Sequence, residues 1–96
     1  MHIGHIQALL TAVEVGSYVR AAPLLFLSTG SAVSKQVRKL EVNVGVELVA
    51  RKDGRVQLTQ AGEEALPHLM SIAAGIHAIQ AIRTRRTESV TSSVPI

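Results

Sequence analysis

Apolar positions in the first half of the chain recur at helical spacing in short runs. Ile3, Ile6, Leu10 and Val13 follow at intervals of 3, 4 and 3, one face of a 3.6-residue period, and predict a helix over 3–15. Gly16 supplies a left-handed stop, and Ser17 can cap the next helix. That helix spans roughly 18–26, with an apolar face of Val19, Ala22 and Phe26, or of Ala21 and Leu25. Pro23 falls inside it and predicts a kink or a shortened helix. Residues 27–31 read as a turn, where Ser28 or Thr29 can cap a third helix over about 30–43. Its apolar face is Val33, Val37, Leu40 and Val44, and Gly45 ends it. The runs 46–51 and 55–59 are rich in Val and Leu, and the Asp53-Gly54 pair between them is a strong hairpin signal. Thr59 caps a fourth helix over about 60–84, bent at Pro67. Its stripe of Leu66, Leu69, Ile72, Ile76, Ile79 and Ile82 has the form of a helix-pairing seam.

Three short helices, a two-stranded hairpin and a long helix form a mainly α winged helix-turn-helix. The expected organisation is a DNA-binding unit over 1–59, a linker or dimerisation helix over 60–86, and a flexible tail over 87–96 or the start of an absent effector domain. Length supports one small domain, at 96 residues. A chain this short buries only about 60–65% of its unfolded surface, so an added apolar stripe calls for a partner chain.

Charge sharpens the picture. The formal net charge is +3, unevenly spread: residues 20–55 hold seven cations and three anions, and 83–96 hold three arginines and one glutamate. The third helix begins with small polar residues and continues with cations. That order suits close backbone approach to a DNA groove followed by phosphate contact. Composition also excludes. There are no cysteines, hence no disulfide scaffold or zinc finger. Only Tyr18 and Phe26 are aromatic, too few for a base-stacking platform. No uninterrupted run of 18 apolar residues argues for a membrane span, and no secretory signal is visible, so a cytoplasmic location is expected. His2 and His5 are three apart, but no carboxylate lies beside them in sequence; no metal site is expected, and His68 and His77 read as exposed. No arrangement of nucleophile, base and acid suggests an enzyme. No cofactor is expected.

Four segments in order carry a family resemblance: Gly16-Ser17-Tyr18-Val19-Arg20-Ala21-Ala22, Ser31 to Glu41 (SAVSKQVRKLE), Val44 to Arg51 (VGVELVAR), and Leu58-Thr59-Gln60-Ala61-Gly62. Over about residues 3–85 the chain resembles the N-terminal domain of LysR-type transcriptional regulators. The resemblance implies a bacterial homodimer paired through the long helix. It also implies double-stranded DNA carrying an inverted-repeat operator as partner, and a tetramer where a ligand-sensing domain follows. Ser34 and Lys35 match the groove face of the recognition helix, with Ser31 at the groove edge. Gln36 and Arg38 match further polar positions nearby, and Arg38 and Lys39 are expected to meet the DNA backbone. Arg51 matches the arginine closing the first wing strand, and Lys52 and Arg55 flank the wing tip. Arg20 matches a basic position of the second helix, and Thr29 or Ser28 the cap that touches the DNA backbone.

The sequence departs from the family's pattern in two places. The family's glutamine after the cap becomes Gly30 if Thr29 is the cap, and glutamine can hold adenine through two hydrogen bonds. The interval from Ala21-Ala22 to Ser34 is one residue longer than the pattern. The competing reading is a helical protein-interaction or dimerisation module without specific DNA binding. A further alternative keeps the fold in another regulator family, such as the molybdate-responsive type.

Overall fold

The computed structural model describes the backbone over residues 1–93 and the side chains over 1–86. The order is α1 (Ile3–Val15), α2 (Tyr18–Leu24), α3 (Gly30–Val44), β1 (Val49–Lys52), β2 (Arg55–Leu58) and α4 (Gln60–Ser93). This is the winged helix-turn-helix expected from the sequence.

α1 and α2 pack on α3, and the core lies between them. Val33, Val37 and Leu40 of α3 are fully buried against Ala8, Leu9 and Ala12 of α1 and Ala21 and Ala22 of α2. Each fully buried Val or Leu contributes about 1.5–3 kcal/mol relative to exposure. The alanines let the helix axes approach closely. The centre of α1's buried face is therefore Ile6, Ala8, Leu9 and Ala12, while Ile3, Leu10 and Val13 are only partly buried around it. The spacing of the large residues located the helix but placed its face one step aside. On α3 the face ends at Leu40, and Val44 is 40% exposed beside the Gly45 stop.

α2 takes the Ala21–Leu25 alternative. Val19 and Phe26 are exposed instead of buried. Pro23 shortens the helix, which closes in a Schellman arrangement. The Leu27 N–H donates to the Ala22 carbonyl (2.9 Å) and the Phe26 N–H to the Pro23 carbonyl (3.2 Å). Phe26 fills the left-handed position (φ 57°), usually glycine's, and its ring is 96% exposed.

β1 and β2 pair antiparallel in the register Arg51↔Val56 and Lys52↔Arg55, and Asp53 and Gly54 both have positive φ at the tip. The strands are shorter than the sequence suggested. Val46, Glu47 and Leu48 stay outside β1, where the Glu41 carboxylate accepts from Leu48 N–H (2.7 Å) and Val49 N–H (3.2 Å). The hairpin joins the body through the Val56 N–H, which donates to the Gly16 carbonyl (3.0 Å).

The Thr59 hydroxyl caps α4, accepting from the Gly62 N–H (3.0 Å) and donating to the Glu47 carbonyl (2.7 Å). α4 runs through Pro67 and on to Ser93, past the 60–84 span expected. Over 87–93 the chain is helix where a tail was expected, because each added residue needs no new nucleus. The rest of that expected tail, 94–96, lies outside the described residues. The Gln60–Arg86 stretch is also long and apolar enough, by length and composition, to cross a membrane. The absence of an unbroken apolar run did not exclude this, since the interruptions over 65–82 are Pro, His, Ser, Gly and Gln, with no Asp, Glu, Lys or Arg.

Gly62 is where α4 meets the wing: a Cβ there would overlap the Leu48 carbonyl oxygen. Gly62→Ala is expected to destabilise the domain by about 3 kcal/mol, read from the shift in denaturant midpoint at unchanged slope.

Candidate nucleic-acid interface

The caps orient the leading end of α3. Thr29, not Ser28, is the N-cap: its hydroxyl accepts from the Ala32 N–H at 3.1 Å. Gly30 is therefore the first helical residue, and it lies hard against α2. A Cβ on Gly30 would come within 3.0 Å of the Val19 amide nitrogen and 3.2 Å of the Tyr18 carbonyl carbon. Gly30, where the sequence reading expected a glutamine, lies at a point where α2 and α3 nearly touch.

Thr29, Gly30, Ser31, Ser34, Arg38 and Arg51 line an open cleft of about 330 Å³ with Tyr18 and Val19. Two arginines, three hydroxyl residues and the first residues of α3 line it, a set suited to phosphate oxygens. The Arg51 guanidinium lies over the Tyr18 ring, 5.6 Å from its centroid, a cation–π contact that steadies the arginine. Burial pushes the Tyr18 hydroxyl pKa up. The Glu41 carboxylate adds to the rise, and Arg51 and Arg38 partly oppose it.

Lys35 and Lys39 point to the other flank of α3. With Arg38, Val42, Asn43 and His5 they border a shallow depression of about 470 Å³. His5 Nδ1 is enclosed without a hydrogen-bond partner. Desolvation lowers the His5 pKa, and His2, Lys39 and the N-terminal amine add to the shift. His2 itself caps α1, its Nδ1 accepting from the Gly4 N–H (2.9 Å). Among the described residues no group of three or more potential ligands could hold a metal ion.

The remaining sequence-predicted residues are spread out. Arg20 and Ser28 are exposed away from the cleft, and Lys52 is exposed on the wing. Gln36 is half-buried toward α1, its Oε1 3.8 Å from where a Gly4 Cβ would be. Arg55 folds back over the α1–α2 turn, its Nη2 2.5 Å from where a Gly16 Cβ would be. Sequence reasoning passed over Tyr18, Gly30 and His5 as site residues. Tyr18 carried a signal, as one of only two aromatics and directly after the Ser17 cap; Gly30 was noticed only as a departure from the family's pattern, and His5 only as half of a weak metal pair.

Comparison with known proteins bears on this geometry. Residues 3–63 match the family described as bacterial regulatory helix-turn-helix protein, lysR family. The chain belongs to the LysR family. It carries that family's DNA-binding, transcription-regulating winged helix-turn-helix. Curated relatives include a probable nitrogen assimilation transcriptional activator of Synechococcus elongatus. It is 40% identical over 72 residues, covering 75% of this chain and 23% of the relative. AlsR of Bacillus subtilis, an HTH-type transcriptional regulator, is 38% identical over 92 residues, covering 92% and 30%. Oxidized OxyR of Corynebacterium glutamicum superposes with a TM-score of 0.78 at 26% identity, over 85% of this chain and 26% of that one. Full-length CbnR complexed with its target DNA superposes at 0.74 and 25% identity, over 88% and 29%. The chain thus spans under a third of the length of these proteins.

The His5 shift has a sign. A folded-state pKa below the unfolded value of 6.5 means the unfolded chain binds more protons, so stability is full above that pH and is lost as pH falls through it. The melting temperature is expected to drop between pH 7 and pH 5, and His5→Gln is expected to shrink that drop, as followed by circular dichroism.

Proposed function

We propose that this domain binds double-stranded DNA as a homodimer, with α3 in the major groove and the basic wing at the adjacent minor groove, to regulate transcription. The observation that carries the reading is the split of α3 into an inner and an outer face. Val33, Val37 and Leu40 are fully buried, while Ser31, Lys35, Arg38 and Lys39 are exposed on the outside. A helix held this way can enter a groove without unpacking. Ser34 and Lys35 then face base edges, with Ser31 at the groove edge. Thr29, Arg38 and Arg51 take backbone phosphates at the cleft, and Lys39 and Lys52 extend the contact.

The exposed isoleucines of α4 support pairing of two copies. Two copies related by a two-fold axis would read an inverted repeat. The relatives' greater length supports an effector-sensing domain in the whole protein. The CbnR complex supports duplex DNA as the partner class.

Titration of the chain against a selected duplex and a random duplex at two salt concentrations tests the reading. Lys35→Ala is expected to weaken the selected complex more than the random one. Arg51→Ala is expected to weaken both and to flatten the salt slope by about one unit. A chain that dimerises without salt-dependent duplex binding is instead a helical interaction module.

A further inference from the structure

The flank of α3 beside His5 of α1 collects positive charge. Arg38, Lys39, Val42 and Asn43 lie 3, 4, 7 and 8 residues after Lys35, on one side of a 3.6-residue helix. With His5 they border the depression of about 470 Å³, and Lys35, Arg38 and Lys39 are exposed. Among the described residues no acidic group lines it. Glu41, the acid nearest in sequence, is turned to the wing, where its carboxylate accepts from the Leu48 and Val49 amides. His5 is half-buried at the edge of the stripe. Its Nδ1 is enclosed without a partner, which leaves Nε2 as the nitrogen open to solvent. The tilted His2 ring stands 5.0 Å from the His5 ring, centroid to centroid.

The charged and titratable groups facing His5 are His2 and the N-terminal amine from its own end of the chain, and Lys35, Arg38 and Lys39 from α3. Loss of hydration first, then repulsion from His2, Lys39 and the amine, keep the imidazole neutral where a free one would charge. Charging it would also leave an N–H at the enclosed Nδ1 with no acceptor. An anion seated in the depression reverses this balance, because it offsets the lysines and attracts an imidazolium. We propose that the depression takes a phosphodiester group of the bound duplex, and that DNA binding draws one proton from solvent onto His5. The phosphodiester stays a monoanion, and the ring passes from neutral to cationic. The Thr29–Arg51 cleft lies on the other flank of α3, and Arg38 borders both. A helix in the major groove has a sugar-phosphate strand on each side, so that placement calls for a phosphate position on each flank. The inference rests on the DNA-binding reading above and adds to it a second phosphate position and a pH dependence.

Duplex titration of the full chain across pH tests it. Between about pH 7.5 and about pH 5.5 the dissociation constant is expected to fall about fivefold, since the complex binds more protons than the separate partners. The salt slope is expected to steepen by about one unit per bound chain, as the added cation meets phosphate. Acid loosens the fold through the same residue, so a purely structural His5 would weaken binding as pH falls. His5→Gln is expected to lose both changes, and His68→Gln, at an exposed position of α4, to keep them. Lys39→Gln is expected to move the midpoint of the pH dependence upward, since one repelling charge is gone, and it carries the test if His5→Gln does not fold. A pH dependence that survives His5→Gln, an unmoved midpoint in Lys39→Gln, or a dissociation constant that rises as pH falls overturns the His5 assignment and leaves the DNA-binding reading intact. Absence of salt-dependent duplex binding at every pH overturns that reading and this inference together.

Discussion

The inner ridge of α3 is the constraint on which the rest of the molecule depends. Val33, Val37 and Leu40 are fully buried against a floor containing Ala8, Ala12, Ala21 and Ala22. The small residues bring α1 and α2 close, and the branched ones fill the space between. Because that ridge is committed inward, Ser31, Lys35, Arg38 and Lys39 have nowhere to go but out. The cationic surface of the domain is thus a consequence of its core packing.

Two contacts tie the wing to α3 and α2. The Glu41 carboxylate, on the residue next to Leu40, the last core residue of α3, accepts from both amides that lead into β1. A carboxylate holding two buried-side amides is a charge-assisted pair of bonds, stronger than neutral equivalents. At the other end, Arg51 lies over Tyr18 at the start of α2. The wing is therefore referenced to both helices of the turn, and the cleft between them keeps its shape. Gly30 completes the arrangement by letting α3 begin against the α2 backbone.

Much of this was legible beforehand, for local reasons. Gly16, Gly45 and the Asp53-Gly54 pair mark their turns because left-handed backbone favours few residues. Ser17, Thr29 and Thr59 mark helix starts because free amides there need an acceptor. What escaped depends on contacts far apart in sequence. Arg55 looked like a wing-tip cation but lies on Gly16. Gln36 looked like a groove residue but turns toward Gly4. The strand starts late because Glu41, seven residues earlier in the chain, takes the Leu48 amide.

Periodicity, capping residues and charge order were enough to give the element order, the winged helix-turn-helix and its cationic third, since each is written in neighbours three or four residues apart. The spatial arrangement settled which alanines form the floor of α1, which of Ser28 and Thr29 caps α3, and how the isoleucines of α4 divide between an inward and an outward face. Those choices turn on how closely two helices can approach, a property of pairs of surfaces that no single stretch of chain contains.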